Sequence, residues 1–142
     1  MLPENIPAFR KRVNDFYKSQ NLQDLPSLLL PKADVEADLI DLTELLVSQI
    51  AELEPFGNGN PQPILKTENL TVRGLRRMGA DGQHVKITLG KEREKIDMLA
   101  FNAPDHFFTE IGQQVTVWYT VDINEWNGRR SVEGQLLHLE LL

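Results

Sequence analysis

Cysteine is absent from all 142 residues. Disulfides, thiolate nucleophiles and zinc–thiolate sites are therefore excluded, and the composition suits a reducing, cytoplasmic setting. Long apolar runs are missing too: none approaches the roughly eighteen residues that a membrane helix needs. The chain does not open with a basic stretch followed by an apolar one, so no secretory signal is expected. Histidine is scarce. His84, His106 and His138 lie at no ligand spacing from one another or from a convergent acidic cluster, and no nucleophile-elbow pattern is present. Positive charge is in short supply: 15 Lys and Arg stand against 21 Asp and Glu, a net charge of −6. A protein living only by phosphate contacts would be basic. Any nucleic-acid role must rest on a local patch, or on a partner domain that supplies the charge.

Hydrophobic residues make up 41% of the chain and charged residues 25%, enough for one small domain with a real core. The acidity is concentrated early. Residues 1–60 carry five Lys and Arg against ten Asp and Glu, and residues 61–142 carry ten against eleven.

Residues 1–54 read as a helical connector. Asn5 can cap a helix with Pro7 in its first turn, and Ile6, Phe9, Val13, Phe16 and Tyr17 follow the spacing of one apolar face. Pro26 and Pro31 break any regular helix. Ala33, Val35, Ala37 and Leu39 alternate with Asp34, Glu36 and Asp38, which predicts a short strand with one acidic face. That face could bind a metal, but it reads better as solvated or partner-facing. Asp41 and Glu44 have capping-box spacing. The helix that follows is expected to bury Leu46, Ile50 and Leu53 and to end before Pro55. Pro55-Phe-Gly-Asn-Gly-Asn-Pro61 reads as a shaped turn. Its glycines resemble a piece of a phosphate loop, but no Gly-Lys-Ser/Thr follows.

Residues 55–142 read as strands. Ile64–Met78 is a long strand with a bend at Gly74. A turn at Asp81-Gly82 leads to a second strand alternating Val85, Ile87 and Leu89 with His84, Lys86 and Thr88. Ile96–Phe101 is a third strand, and Pro104–Ile111 gives one or two helical turns before Gly112. Val115, Val117, Tyr119, Val121 and Ile123 form one face of a fourth strand, with Trp118 on the other. A turn at Asn127-Gly128 then leads into a last strand over Arg130–Leu141. Three strands, a short helix and a two-strand hairpin is the order of an OB-fold. The fold expected is therefore mainly β: a five-stranded OB-fold barrel preceded by a helical connector with one short strand.

In such a barrel, two turns flank the ligand face. Arg73, Arg76 and Arg77 approach the first of these turns, Lys86 lies on the second strand, and Trp126, Arg129 and Arg130 surround the last. Exposed aromatics beside arginines are what single-strand stacking uses. Arg76, Arg77, Lys86 and Arg129 are the expected phosphate contacts, and Trp126 the expected base-stacking residue, although the Trp126 turn reads equally well as turn packing. Trp118 reads slightly better as a barrel cover than as a ligand contact.

Four segments resemble the RecJ family of single-strand-specific DNA exonucleases. Glu54-Pro-Phe-Gly-Asn-Gly-Asn-Pro61 is similar to the family's "EPFGxGNP" turn, and Asp81-Gly-Gln-His-Val-Lys-Ile87 to its "DGxHLKL" strand. Ile96-Asp-Met-Leu-Ala-Phe101 resembles "lDaIaF", and Ile123-Asn-Glu-Trp-Asn-Gly-Arg129 resembles "iNeWnG". Residues 1–20 look like the last helix of the family's DHH-associated domain. The final strand departs from the pattern, since Ser131-Val-Glu-Gly-Gln-Leu136 places Glu133 and Gly134 where the family has a Gln-Leu run.

The resemblance implies a cytoplasmic enzyme that degrades single-stranded DNA from its 5′ end in recombination and repair. It implies a divalent metal, manganese or magnesium, held by an N-terminal DHH domain whose Asp-His-His ligands are not in this sequence. On that basis the chain is expected to be a C-terminal fragment without a cofactor or catalytic residues of its own. Its expected partners are single-stranded DNA, the catalytic domains of the parent protein and other repair proteins. The alternative expectation is a structural or protein-recruiting domain that shapes the exonuclease channel.

Overall fold

The computed structural model describes residues 5–19 and 30–142. The expectations at Met1–Glu4 and Pro26, and for the side chain of Tyr17, lie outside the described residues. Helix α1 spans Ile6–Ser19 and belongs to a unit separate from the one that runs from Pro31 to Leu142. Ile6, Phe9 and Phe16 are exposed on it.

The second unit contains β1 (Val35–Glu36), a 3-10 turn (Leu39–Asp41), helix α2 (Glu44–Ala51), β2 (Leu65–Met78), β3 (His84–Lys91), β4 (Glu94–Ala100), a 3-10 turn (Asp105–Phe107), β5 (Gln114–Trp126) and β6 (Arg129–Leu141). The strands follow the order β1-β2-β3-β4-β6-β5, and β5 also pairs with β2. Strands β2 to β6 therefore close a five-stranded barrel, with β4 and β6 parallel and the other barrel pairs antiparallel. This is OB-fold connectivity, and β1 adds a parallel sixth strand on β2.

Strict alternation builds the core. Val85, Ile87 and Leu89 of β3 meet Ala100, Met98 and Ile96 of β4 across the ladder, and all six are buried. Closing a small barrel requires β2 to bend. It does so twice, with register shifts between Thr67 and Leu70 and between Val72 and Gly74. Asn69 takes φ 59° within the first of these. Asn127 and Gly128 both take positive φ, as a two-residue turn between twisted strands requires. Gly134 lets β6 approach β4 and β5 closely. A Cβ there would stand 3.0 Å from Met98 Cγ and 3.4 Å from the Tyr119 ring.

The connector differs from expectation in detail. Only Val35 and Glu36 form a strand, and Val35 is exposed, because Leu39–Asp41 turns away as a 3-10 helix. Asp41 does not cap α2: its carboxylate accepts from the Asp38 N–H at 3.2 Å. Thr43 is the cap, its Oγ1 accepting from Leu46 N–H at 3.2 Å. Moving the helix start to Thr43 rotates the buried face. Val47 is 2% exposed, while Leu53 is 55% exposed. Leu46 and Ile50 are only half-buried, and Ile50 packs on the core with Leu42. Helix α2 lies against β5 and β6. Between β4 and β5 a single 3-10 turn, Asp105–Phe107, replaces the one or two helical turns expected, and it buries Phe107.

The turn over residues 55–61 is organised by Asn60. Its side-chain amide donates to Leu53 O at 2.7 Å and to Pro55 O at 3.1 Å, and its backbone pairs with Gly57. The Glu54–Pro55 peptide is cis.

Candidate nucleic-acid interface

Because Val85, Ile87, Met98 and Ala100 point inward, His84, Lys86 and Thr88 of β3 and Asp97 and Leu99 of β4 point outward. Register extends this face in both directions. Arg76 of β2 is opposite Lys86, and Leu99 of β4 is opposite Gln135 of β6. The two ends of the face are formed by the β2–β3 turn, residues 79–83, and the β5–β6 turn at Asn127-Gly128. These are the loops and strands through which OB-folds meet oligonucleotides.

The basic residues singled out from the sequence fall on or around this face, in different electrostatic states. Arg129 and Arg130 are exposed at the β5–β6 turn, where Arg129 is paired across the ladder with Trp126. Trp126 is 74% exposed. Arg76 is exposed. Arg77 is exposed but stacked, its guanidinium carbon 3.9 Å from the centroid of the Phe108 ring. Arg73 sits in the second bulge of β2 and is turned back on the protein, donating from Nη2 to Glu92 O at 2.6 Å. Gly90 makes room for that guanidinium: a Cβ there would collide with it.

Lys86 is held between two carboxylates, with Nζ 3.0 Å from Asp97 Oδ2 and 3.5 Å from Glu133 Oε1. Thr88 Oγ1 donates to the other Asp97 oxygen at 2.7 Å. The hydrogen bond to Asp97 raises the Lys86 pKa against the opposing effect of burial. Burial alone would raise the Asp97 carboxyl, but the hydrogen bonds from Thr88 and Lys86 hold it below its ordinary value. Lys86 and Asp97 thus form an ion pair, with Glu133 a second carboxylate on the same ammonium. They line a shallow groove of about 350 Å³ with Lys95, Asn124 and Ser131.

Trp118 is 6% exposed, edge-on to His138 with centroids 5.3 Å apart, and Lys66 Nζ lies 5.6 Å from its ring centre. It is unavailable to a ligand. Sequence reasoning did not single out Phe101, which is 60% exposed at the end of β4 and edge-on to His84 at 5.3 Å. The signal for it was available: Phe101 continues the outward phase of Asp97 and Leu99.

No group of three or more His, Asp or Glu among the described residues could hold a metal ion. The acidic strip of the connector is dispersed over separate partners. Asp34 accepts from Ile64 N–H at 2.8 Å, Glu36 pairs with Lys66 at 3.3 Å, and Asp38 pairs with Lys91 at 2.6 Å. These described residues do not fit the divalent ion that the resemblance implies for the parent enzyme. No described helix is long and apolar enough to cross a membrane.

Residues 33–138 match the RecJ OB domain family. The chain is 28% identical over 128 residues to the single-stranded-DNA-specific exonuclease RecJ of Bacillus subtilis, an alignment covering 89% of this chain and 16% of that protein. It thus spans about a sixth of that relative's length. Two crystal structures of RecJ from Thermus thermophilus, in complex with Mn2+ and with Mg2+, superpose with TM-scores of 0.63 and 0.62 at 24% identity. They cover 99% and 98% of this chain and 20% of theirs, and share its fold.

Proposed function

This chain belongs to the RecJ OB domain family, and from that premise we propose that it is the single-stranded-DNA-binding module of a RecJ-like 5′–3′ exonuclease acting in cytoplasmic recombination and repair. The observation that carries the reading is the placement of Trp126 with Arg129 and Arg130 at one end of the β3–β4 face, and of Arg76 toward the other. An aromatic surface flanked by guanidinium groups takes a base and its phosphates without regard to sequence. Lys86 borders the same path, while Arg77 shares the phase of inward-pointing Val85 and stacks on Phe108. Arg73, already bonded to Glu92 O, would serve more to shape the bulge than to hold phosphate.

In this reading the chemistry belongs to the parent protein's catalytic domains, with their manganese or magnesium, and the module presents the strand to them. The purified chain is expected to release no nucleotides from single-stranded DNA with either metal. Release that follows the chain through successive purification steps would show that a catalytic site was overlooked.

Binding is expected to be weak, with a shallow salt slope. The net charge of −6 and the carboxylates around Lys86 offset the arginines, and salt screens both. Titrating a fluorescent single-stranded oligonucleotide at two salt concentrations tests this. Base stacking contributes about 1–3 kcal/mol, so Trp126→Ala should weaken binding about ten-fold or more at fixed salt. Arg76→Ala should flatten the salt slope. Mutants that bind like the parent chain, or a preference for duplex DNA, would favour the alternative of a protein-recruiting domain that shapes the exonuclease channel. The neutralisation of Lys86 by Asp97 and Glu133 is the observation on that side.

A further inference from the structure

Phe101 is an exposed aromatic ring that burial does not explain. Its neighbour Ala100 is 3% exposed and pairs with buried Val85, so the barrel core ends there and Phe101 turns outward. The ring is held in place. His84 meets it edge-on, with ring planes at 68°. His84 is itself fixed, its Nδ1 accepting from Asn102 N–H at 2.9 Å. The residues beyond Phe101 are tied to the β2–β3 turn through Ala103 N–H and Gln83 O at 2.8 Å. A flat apolar surface of this kind, ordered before any ligand arrives, loses little conformational freedom on binding.

Its position is specific. Asp97 is in register with Glu133 and Leu99 with Gln135, so extending the parallel ladder puts Phe101 level with position 137. Trp126 is paired with Arg129. At about 3.3 Å per residue, the two rings are separated by roughly 25 Å along the strand direction. Arg129 is beside Trp126, and toward the other end Arg76 of β2 lies opposite Lys86, two residues along from the Met78–His84 pair. Between them lies the Lys86–Asp97–Glu133 group, where the two carboxylates already engage the Lys86 ammonium, so that lysine is not free to hold a phosphate at the centre of the face.

We infer that Phe101 is a second base-stacking residue, so that a single strand of nucleic acid is held at both ends of the β3–β4 face rather than by the already paired Lys86 in its middle. This rests on the single-strand-binding reading above and adds to it a contact on the opposite end from Trp126.

The test places a reporter at the site. Trp126→Phe keeps a ring at the first position and removes its emission. Adding Phe101→Trp to that background puts an indole at the second, with buried Trp118 as a constant contribution. Saturating oligothymidylate is expected to quench the double variant and to leave Trp126→Phe alone unchanged. By anisotropy of a labelled oligonucleotide, Phe101→Ala should bind about ten-fold more weakly and Phe101→Tyr like the parent. A thermal melt confirms that each variant is folded. Should Phe101→Ala fail to fold, the quenching measurement decides. An unquenched indole at position 101 while anisotropy reports bound oligonucleotide, or parental affinity in folded Phe101→Ala, would overturn the inference and leave the single-strand reading intact. Absence of binding by the parent chain would overturn both.

Discussion

Val47→Asp is expected to unfold the chain or to lower its melting temperature by roughly 10 °C or more, which corresponds to a loss of at least about 3 kcal/mol for a domain of this size. Val47 is the most buried residue of α2, at 2% exposure, and belongs to the same apolar cluster as the barrel. Burying a valine side chain contributes about 1.5–3 kcal/mol, and a carboxylate in its place must also be desolvated without a partner. Leu53→Asp, at a position 55% exposed, should shift the melt by no more than about 2 °C. Circular-dichroism melts of the two variants decide whether α2 is part of the cooperative unit. Equal melting of Val47→Asp and the parent would mean that the helix comes away before the barrel unfolds.

The second large effect is expected at Thr67, a buried hydroxyl joining connector to barrel. Its Oγ1 lies 2.7 Å from Ala37 O and 2.7 Å from the Tyr119 hydroxyl. Because the single Thr67 proton goes to the carbonyl, Tyr119 is the donor to Thr67. Thr67→Val keeps the shape and strands two polar groups, at about 1–3 kcal/mol each. Tyr119→Phe removes only a donor and should cost about 1 kcal/mol. Urea unfolding of both variants measures the asymmetry, and a Tyr119→Phe loss as large as that of Thr67→Val would mean that the network is not wired this way.

The same tyrosine shapes the alkaline limit of stability. Burial pushes its pKa from 10.0 up to about 12. Above pH 10 the unfolded chain loses this proton while the native chain keeps it. Stability is therefore complete below pH 10 and falls by about 2–3 kcal/mol as pH rises to 12. Lys66, raised mainly by its hydrogen bond to Glu68, and Lys86, raised by that to Asp97, lose their pairs as pH rises through the same region. Tyr119→Phe should flatten the tyrosine part alone.

The barrel was legible because its information is local. Alternation in residues 85–89 and 115–123 and the Asn127-Gly128 turn each act within a few neighbours, and the strands formed where these patterns lie. The connector was less legible because short elements have competing starts. Asp41 and Thr43 can both cap a helix, and the 3-10 turn at Leu39–Asp41 engages Asp41 first.

By itself the sequence determined the strand order and the family, and it placed Trp126, Arg129 and Arg130 around one two-residue turn; the exposure of Trp126 came from the structure. Only the tertiary structure decided that Lys86 is neutralised. Asp97 and Glu133 are far apart in the chain and meet only through the parallel pairing of β4 with β6. The burial of Trp118, the turning of Arg73 onto Glu92 and the fixing of Phe101 by His84 are likewise products of register between strands. A period of two tells which face a residue occupies, but not which residue from another strand lies beside it.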